Sequence, residues 1–173
     1  MDSRQTSTVT MAVLAVICVF MALFGISQVT RGLPTDSIVA DEKPACETKT
    51  LKAGTKVRAS DVTVSVFNAS ERNGLASKTM EKLITRGFGA GDSANAPSAK
   101  VRRVEVRAAT SDDPAAKLVA AQFGKGTPVV TDQEQLGIGI VVVVGSNFTA
   151  LSKGATKAVP VTEDSTVCSP PPD

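Results

Sequence analysis

Residues 62–87, VTVSVFNASERNGLASKTMEKLITRG, form the stretch of sequence that decides the fold. Every second residue of 62–67 is valine, and this period of two predicts a strand with one strongly apolar face. The segment 68–74 is rich in turn-forming residues. An amphipathic helix is predicted to follow it and to end at Gly87 as a C′ glycine. The apolar side of this helix is predicted to consist of Leu75, Ala76, Thr79, Met80, Leu83 and Ile84.

The chain beyond Gly87 alternates further strands with one more helix. Strands are predicted at 88–94, 100–108, 128–131 and 138–144, and a second helix at 114–123. Asp112 or Asp113 is the expected N-cap of that helix, with Pro114 at its first position. Residues 138–144 are apolar on both faces, which is typical of a central strand. The order β-α-β-β-α-β-β predicts an α/β fold, a sandwich of one mixed sheet with two helices.

A transmembrane helix is predicted to precede this domain. No charged residue occurs between Arg4 and Arg31, and about 20 apolar residues of helix cross a bilayer. We therefore predict a span at 9–29 and a short cytoplasmic tail at 1–8. A cleaved secretory signal is the alternative, but its apolar region is shorter, about 7 to 15 residues, and small residues follow it directly. Here a reasonable small-residue site ends only at Ala40. The positions of Lys and Arg barely favour a cytoplasmic N-terminus.

The rest of the chain divides into three parts. Residues 30–60 carry prolines and mixed charge and are predicted to be an extracytoplasmic linker. Residues 61–151 have room for one small domain with its own core. The chain becomes polar after this domain, so 152–173 is predicted to be a C-terminal tail, mobile beyond Cys168.

Two cysteines flank the predicted domain, Cys46 on one side and Cys168 on the other. In a reducing cytosol they would be two unrelated thiols, whereas in an oxidising compartment they would form a disulfide. Spacing alone does not show that the two sulfur atoms meet. Cys18 lies inside the predicted span, where a thiol behaves as a small apolar group. The span and the flanking cysteines together favour an extracytoplasmic domain with a Cys46–Cys168 disulfide.

The composition excludes several kinds of active site. The chain has no His, Tyr or Trp, so His-based triads and His zinc sites are unavailable. It also has no Ser-x-x-Lys sequence. A net charge of +2 without a long run of one sign argues against nucleic acid as a partner. We predict no enzymatic activity, no catalytic residues, no cofactor and no metal site.

Residues 64–76, VSVFNASERNGLA, resemble the opening motif of the LytR C-terminal domain family, in which a strand leads through Asn-Gly/Ala-Ser/Thr to a helix that begins Gly-Leu-Ala. Other landmarks of the family follow in order, with Gly87-Phe88 closing the first helix, the Ala-rich 114–121 in the second, and 144–148 matching the closing Gly-x-Asp/Asn-Phe. The resemblance covers 62–151. One span, one such domain and a flanking cysteine pair are similar to the arrangement in actinobacterial cell envelope integrity proteins of the Cei and VirR kind.

The resemblance implies a location in the cell envelope. The family domain also occurs behind LytR-CpsA-Psr phosphotransferases, which attach polymers to peptidoglycan, but this chain has no room for their catalytic domain. The implied function is that of a non-catalytic, membrane-anchored extracytoplasmic module that binds peptidoglycan, an arabinogalactan-type polymer or envelope synthesis proteins. The alternatives are an accessory subunit of an enzyme that ligates envelope polymers and a subunit of transport machinery.

The predicted ligand-binding residues are Asn68, Ser70, Arg72, Asn73 and Gly74. They join a strand to a helix N-terminus, where free N–H groups hold anionic or polyol ligands. In the structural alternative, Asn68 bonds its own turn and Asn73 caps the helix. This alternative is the simpler one, because every βα turn offers such donors.

A group of three arginines is a further candidate for contact with an acidic polymer or with lipid headgroups. Arg103 and Arg107 share a predicted strand face with Glu105, and Arg102 lies beside them. We expect a solvated face with ion pairs, because Glu105 lies between the two arginines.

Overall fold

The structure is a computed structural model that describes residues 13, 15–21, 46–96 and 99–171. The chain divides into two compact units, Met1–Glu42 and Lys43–Asp173. Residues 13 and 15–21 are helical. Within the ranges described, no helix combines the length and the apolar character that a bilayer crossing requires. Most of the predicted span 9–29 lies outside the described residues, as do the tail 1–8 and the segment 30–45, so these assignments stay predictions.

The second unit is a mixed α/β structure. Its elements are β1 (Glu47–Leu51), β2 (Lys56–Arg58), a 3-10 turn (Ala59–Asp61), β3 (Thr63–Asn68), α1 (Leu75–Ile84), β4 (Gly89–Asn95), β5 (Val104–Arg107), α2 (Pro114–Phe123), β6 (Val129–Val130), β7 (Ile140–Val144), β8 (Ala158–Pro160) and β9 (Ser165–Ser169). Strands β3 to β7 form a five-stranded sheet in the order β4-β3-β7-β5-β6. Strand β7 runs parallel to β3 and antiparallel to β5. The mixed sheet with two helices that the sequence predicts is confirmed.

The two inner strands are buried on both faces. All five residues of β7 are buried, as its continuous run of β-branched residues predicts. All six residues of β3 are buried too, although the alternating pattern predicts only one covered face. On the second face, the hydroxyl of Ser65 donates to the carbonyl of Ile138 at 2.7 Å and accepts from the backbone N–H of Asp92 at 2.9 Å. Burial of Ser65 is therefore compatible with its hydroxyl, because β4 and the loop before β7 supply its partners, whereas the buried hydroxyl of Thr63 has no hydrogen-bond partner.

Both helices contribute side chains to the main core on one face of the sheet, and a small apolar cluster lies on the other. The core contains Leu75, Ala76, Met80 and Leu83 of α1 and most of the apolar residues of α2. Ile84 is 47% exposed, so its predicted place in the core is wrong. On the opposite face, a cluster around Phe67, Val141 and Val143 is covered by loop residues.

The loop before β7 needs a glycine where it passes β3. Gly139 has a φ of +66°, and a Cβ at this position would lie 2.1 Å from the carbonyl oxygen of Thr63. A side chain would therefore be both strained and in collision with the backbone.

The second helix begins and ends as its sequence predicts. Asp113 is the N-cap, and its carboxylate accepts from the backbone N–H groups of Ala115 at 2.7 Å and Ala116 at 3.3 Å. Pro114 occupies the first turn and Gly124, with a φ of +107°, follows the last residue. The other N-cap candidate, Asp112, instead forms an ion pair with Lys117 at 2.8 Å.

The stretches predicted to be a linker and a tail contain four additional strands. β1 pairs antiparallel with β9, and β2 pairs antiparallel with β8. The single sheet predicted from the sequence is thus accompanied by two two-stranded sheets. Their patterns are weak because the strands are short and mostly exposed. Buried apolar residues are few, with Leu51 in β1, Val57 in β2 and Val167 in β9.

A disulfide closes the paired terminal segments. Cys46, directly before β1, is bonded to Cys168 in β9, with the Cα atoms 5.4 Å apart and 122 positions between the residues in sequence. The predicted disulfide is therefore confirmed, and the alternative of two unrelated thiols is excluded.

Replacing both bonded cysteines should destabilise the second unit. We expect the Cys46→Ser/Cys168→Ser variant to lose up to about 5 kcal/mol of unfolding free energy, because the bond closes a very long loop. Thermal and urea denaturation of the purified full chain, followed by circular dichroism, measure the loss. Cys18→Ser is the matched control, because Cys18 is a free, exposed cysteine. Equal stability of the double variant and the control would contradict this account of the disulfide.

Candidate functional site

The predicted ligand loop begins with Asn68. The hydrogen-bonding groups of its side chain all have partners, most of them within the turn that Asn68 forms. Its carbonyl oxygen accepts from the N–H and the hydroxyl of Ser70 at 2.9 and 2.7 Å. Its amide nitrogen donates to the carbonyl of Arg72 at 2.9 Å and to the side-chain oxygen of Asn95 at 3.3 Å. An asparagine side chain makes at most about four such bonds. Asn68 therefore acts as the turn-forming residue that the structural alternative expects.

Arg72 ties the loop to the segment that follows β7. Its guanidinium donates to the carbonyls of Phe148 and Ser146, and the N–H of Ala69 donates to the carbonyl of Val144 at 2.9 Å. The two motifs that carry the family resemblance, around Asn68 and around Phe148, are thus the two sides of one hydrogen-bonded junction. Much of the polar character of this loop is explained by that junction.

The residue that caps α1 is not the one that the structural alternative expects. Gly74, with a φ of +70°, is the N-cap of α1, and it provides no side-chain cap. Asn73 is exposed and does not cap the helix. One turn, which joins β3 to α1, contains all the predicted ligand residues, which are Asn68, Ser70, Arg72, Asn73 and Gly74. Ligand binding by them stays a prediction.

Of the arginines predicted on a solvated face, Arg107 lies in β5 and is buried, and Arg103 lies directly before this strand. The guanidinium of Arg107 lies 2.9 Å from the carboxylate of Glu105, which confirms the predicted ion pair, but the Arg107 side chain is only 9% exposed. It also donates to the carbonyl of Glu134 at 3.2 Å. Arg103 points elsewhere and donates to the carbonyl of Phe123 at 2.9 Å. The prediction of a solvated face is therefore wrong for Arg107, because the loop before β7 covers it, whereas Arg102 and Arg103 are exposed.

A concave surface that the sequence did not indicate lies where α1 ends. This surface, here called the cationic groove, encloses about 570 Å³ and is lined by Arg58, Ser60, Arg86, Gln122, Thr156 and Lys157 together with small residues. Three of the lining residues are cations, and none is an Asp or Glu. The groove is therefore a concentration of positive charge on a chain with a net charge of only +2.

The central cation of the groove is held in place by neutral groups. Arg86 is partly buried, and its guanidinium donates to the side-chain oxygen of Gln122 at 2.8 Å and to the carbonyl of Ser152 at 2.7 Å. Gln122 is itself fixed, because its amide donates to the carbonyls of Leu118 and Thr156 at 3.1 and 2.9 Å. The guanidinium is thus oriented without being neutralised.

The groove depends on the terminal strands. In the β2–β8 pair, Arg58 lies opposite Ala158, so Lys157 is brought to the same end of the pair. Sequence reasoning placed Arg58 in a linker and Lys157 in a tail and therefore missed the groove. We find no local pattern in the sequence that brings these residues together.

A carboxylate next to the groove is held in its charged form. Burial raises the pKa of Asp61, but this effect is outweighed by the hydrogen bonds from Lys49 and from the Arg58 N–H and by the positive charges of both residues. The net result is a pKa below the ordinary value for Asp. In the parts of the chain that the structure describes, no group of three His, Cys, Asp or Glu residues is suited to hold a metal ion.

The comparison with family models agrees with the predicted resemblance. Residues 61–148 match the LytR C-terminal family model, which is described as LytR cell envelope-related transcriptional attenuator, and the chain belongs to this family. No curated protein matches the chain. Among solved structures, the chain is similar to the soluble domain of a conserved hypothetical secreted protein from Mycobacterium marinum. That similarity has 23% sequence identity and a TM-score of 0.48, and it covers 60% of this chain and 79% of the other.

The Asp61 contacts predict a pH-dependent contribution to stability. Because the folded-state pKa is lowered, the stabilisation is fully present above the ordinary carboxyl pKa and is lost as the pH falls through the folded-state value. Asp61→Asn should cost less than about 1 kcal/mol at neutral pH, as is usual for partly exposed ion pairs. The difference from the wild type should shrink in acid, as measured by urea denaturation at a series of pH values. Glu71→Gln, at an exposed position in the ligand loop, is the control. A difference independent of pH would contradict the assignment.

Proposed function

We propose that this chain is a non-catalytic, membrane-anchored module that supports the integrity of the cell envelope. In this proposal, residues 9–29 cross the cell membrane once, residues 1–8 lie in the cytoplasm, and the second unit is extracytoplasmic. There it binds a wall polymer of the peptidoglycan or arabinogalactan type, or envelope synthesis proteins.

The Cys46–Cys168 disulfide is the observation that carries the proposed location. Such bonds persist in oxidising compartments and are rare in the cytosol. Here the bond joins the two ends of the folded unit, so the whole unit would reside in one oxidising space. The family description, which refers to the cell envelope, supports the same location.

Two exposed carboxylates, those of Asp112 and Asp164, are ion-pair partners and do not have the raised pKa of a general acid. The chain has no His, so Asp and Glu would be the obvious proton donors. A general acid at neutral pH needs a raised carboxyl pKa. The pKa of Asp112 is instead lowered by its hydrogen bond with Lys117 and the charge of that lysine, and the pKa of Asp164 is lowered by hydrogen bonds from the Ala53 N–H and from Lys52. These groups serve as ion-pair partners.

A deletion strain tests the cellular role. Loss of the chain should increase sensitivity to drugs that act on the cell wall but not to drugs with cytosolic targets, and the full chain should restore resistance. A version in which 1–29 is replaced by a cleaved signal peptide should fail to restore it, because the unit would leave the membrane. Replacement of 1–29 by an unrelated single-span anchor is the matched control and should restore resistance. No sensitisation on deletion would refute the envelope role.

Polymer binding separates the module from the accessory-subunit alternative. Full chain in neutral detergent should bind purified peptidoglycan or arabinogalactan saturably if it is a binding module. Asn73→Ala should weaken binding several-fold if the ligand loop is the site, because Asn73 is exposed and has no role in capping the helix. Lys125→Ala, at an exposed position outside the loop, is the control. Unchanged binding by Asn73→Ala would remove the site from the loop, and absence of any polymer binding would count against the module.

A further inference from the structure

We propose that the cationic groove binds the phosphate group of a phosphorylated polyol, either a glycosyl phosphate or the glycerophosphate of a lipid headgroup. This inference deepens the proposed envelope function and rests on it for the source of the ligand. It names a ligand class and places the contact at Arg58, Arg86 and Lys157, away from the loop 68–74.

Most of the positive charge of the groove is not compensated within the protein, although Asp61 interacts with the charge of Arg58 while it pairs with Lys49. Nearby lysines are neutralised, since Lys49 pairs with Asp61 and Lys52 pairs with Asp164. Within the described ranges, by contrast, the three cations of the groove form no ion pair. A concave surface with charge of one sign attracts a ligand of the opposite sign. The charge of a phosphate ester would balance that of the groove.

Arg86 provides the geometry for phosphate. A guanidinium carries five N–H donors in a rigid plane and matches phosphate oxygens in pairs. Gln122 and Ser152 accept from two nitrogen atoms of Arg86 and fix its plane. Further N–H groups of the same guanidinium are left for a ligand. Because the side chain is already ordered, binding would cost less conformational entropy than binding by a mobile arginine.

Arg58 and Lys157 have no structural task that would explain their position. Both are exposed, and in the described part of the chain neither side chain forms a hydrogen bond within the protein, Arg58 contributing only its backbone N–H to Asp61. They line the same groove as the fixed guanidinium of Arg86. One fixed donor together with two adaptable cations suits a ligand that has a constant anionic group and a variable remainder.

The rest of the lining suits a polyol. Ser60 and Thr156 offer hydroxyl groups, and Gly87 and Gly154 leave the backbone open to a ligand. A volume of about 570 Å³ lies within the range of ligand sites, roughly 300 to 1,000 Å³. A second cavity shares Arg58 and Ser60 with the groove and is lined by Lys56, by the paired Lys49 and Lys52, and by Asp61. A ligand longer than one unit would therefore meet one further cation, Lys56.

An NMR titration tests the groove directly. The full chain in neutral-detergent micelles is titrated with glucose phosphate, glycerophosphate and glucose, and backbone amide shifts are recorded. Both phosphates should shift the amides of Gly87 and Gly154, whereas glucose should not, and added salt should weaken the effect. Tighter binding of glucose phosphate would identify a glycan source, and tighter binding of glycerophosphate a headgroup source. Either result supports the groove.

Paired variants provide the control. Arg58→Gln/Lys157→Gln should weaken phosphate binding by about tenfold or more, since charge-assisted contacts contribute strongly. Lys78→Gln/Lys125→Gln removes the same charge from exposed positions outside the groove and should change binding little. Equal loss in both pairs, shifts confined to 74–77, or no shift with either phosphate would overturn the proposal.

The two proposals fail separately. If wild-type and Arg58→Gln/Lys157→Gln chains restore the deletion strain equally and neither binds phosphate, only the groove inference fails. If the strain shows no envelope defect while phosphate still binds at Gly87 and Gly154, the envelope role fails and the groove remains.

Discussion

Antiparallel pairing of the two terminal segments, closed by the Cys46–Cys168 disulfide, is the constraint on which the surface of the second unit depends. The main core is shared between the central sheet and these strands, because it includes Leu51 of β1, Val57 of β2 and Val167 of β9. The cationic groove is lined by residues that follow α1 and by residues in or next to β2 and β8. Short exposed strands bring little apolar burial to offset the entropy of closing so long a loop. A covalent bond that removes this entropy from the unfolded chain is therefore an effective way to hold them.

The elements that the sequence predicts well are those with local signals. In α2, Asp113, Pro114 and Gly124 mark both ends of the helix, and β7 is recognisable from its continuous apolar run. The strands β1, β2, β8 and β9 have no such signals. Each pairs with a partner about a hundred residues away or more, and none has more than two buried side chains. Periodicity cannot detect a strand whose stability comes from a distant partner.

The family motif and the groove have different physical origins. Asn68 and Arg72 are recognisable in sequence because they build the junction between β3 and the segment after β7, where nearly every polar group has a partner. Arg58 and Lys157 lie outside the matched residues 61–148. A motif search therefore recognises the residues whose hydrogen bonds hold the fold together. It does not recognise Arg58 and Lys157, because they belong to the flanking strands and their neighbours and not to the family domain.

Arg86 belongs both to the family domain and to the cationic groove. It follows α1 within the family domain, and it lines a groove that is completed by residues from both flanks. The position is electrostatically reasonable, because the C-terminal end of a helix carries partial negative charge and accommodates a cation. Holding that cation with Gln122 and a backbone carbonyl, rather than with a carboxylate, leaves its charge available. The flanking strands then place Arg58 and Lys157 beside it, so a cation that belongs to the domain becomes the centre of a site that only the complete, disulfide-closed unit can form.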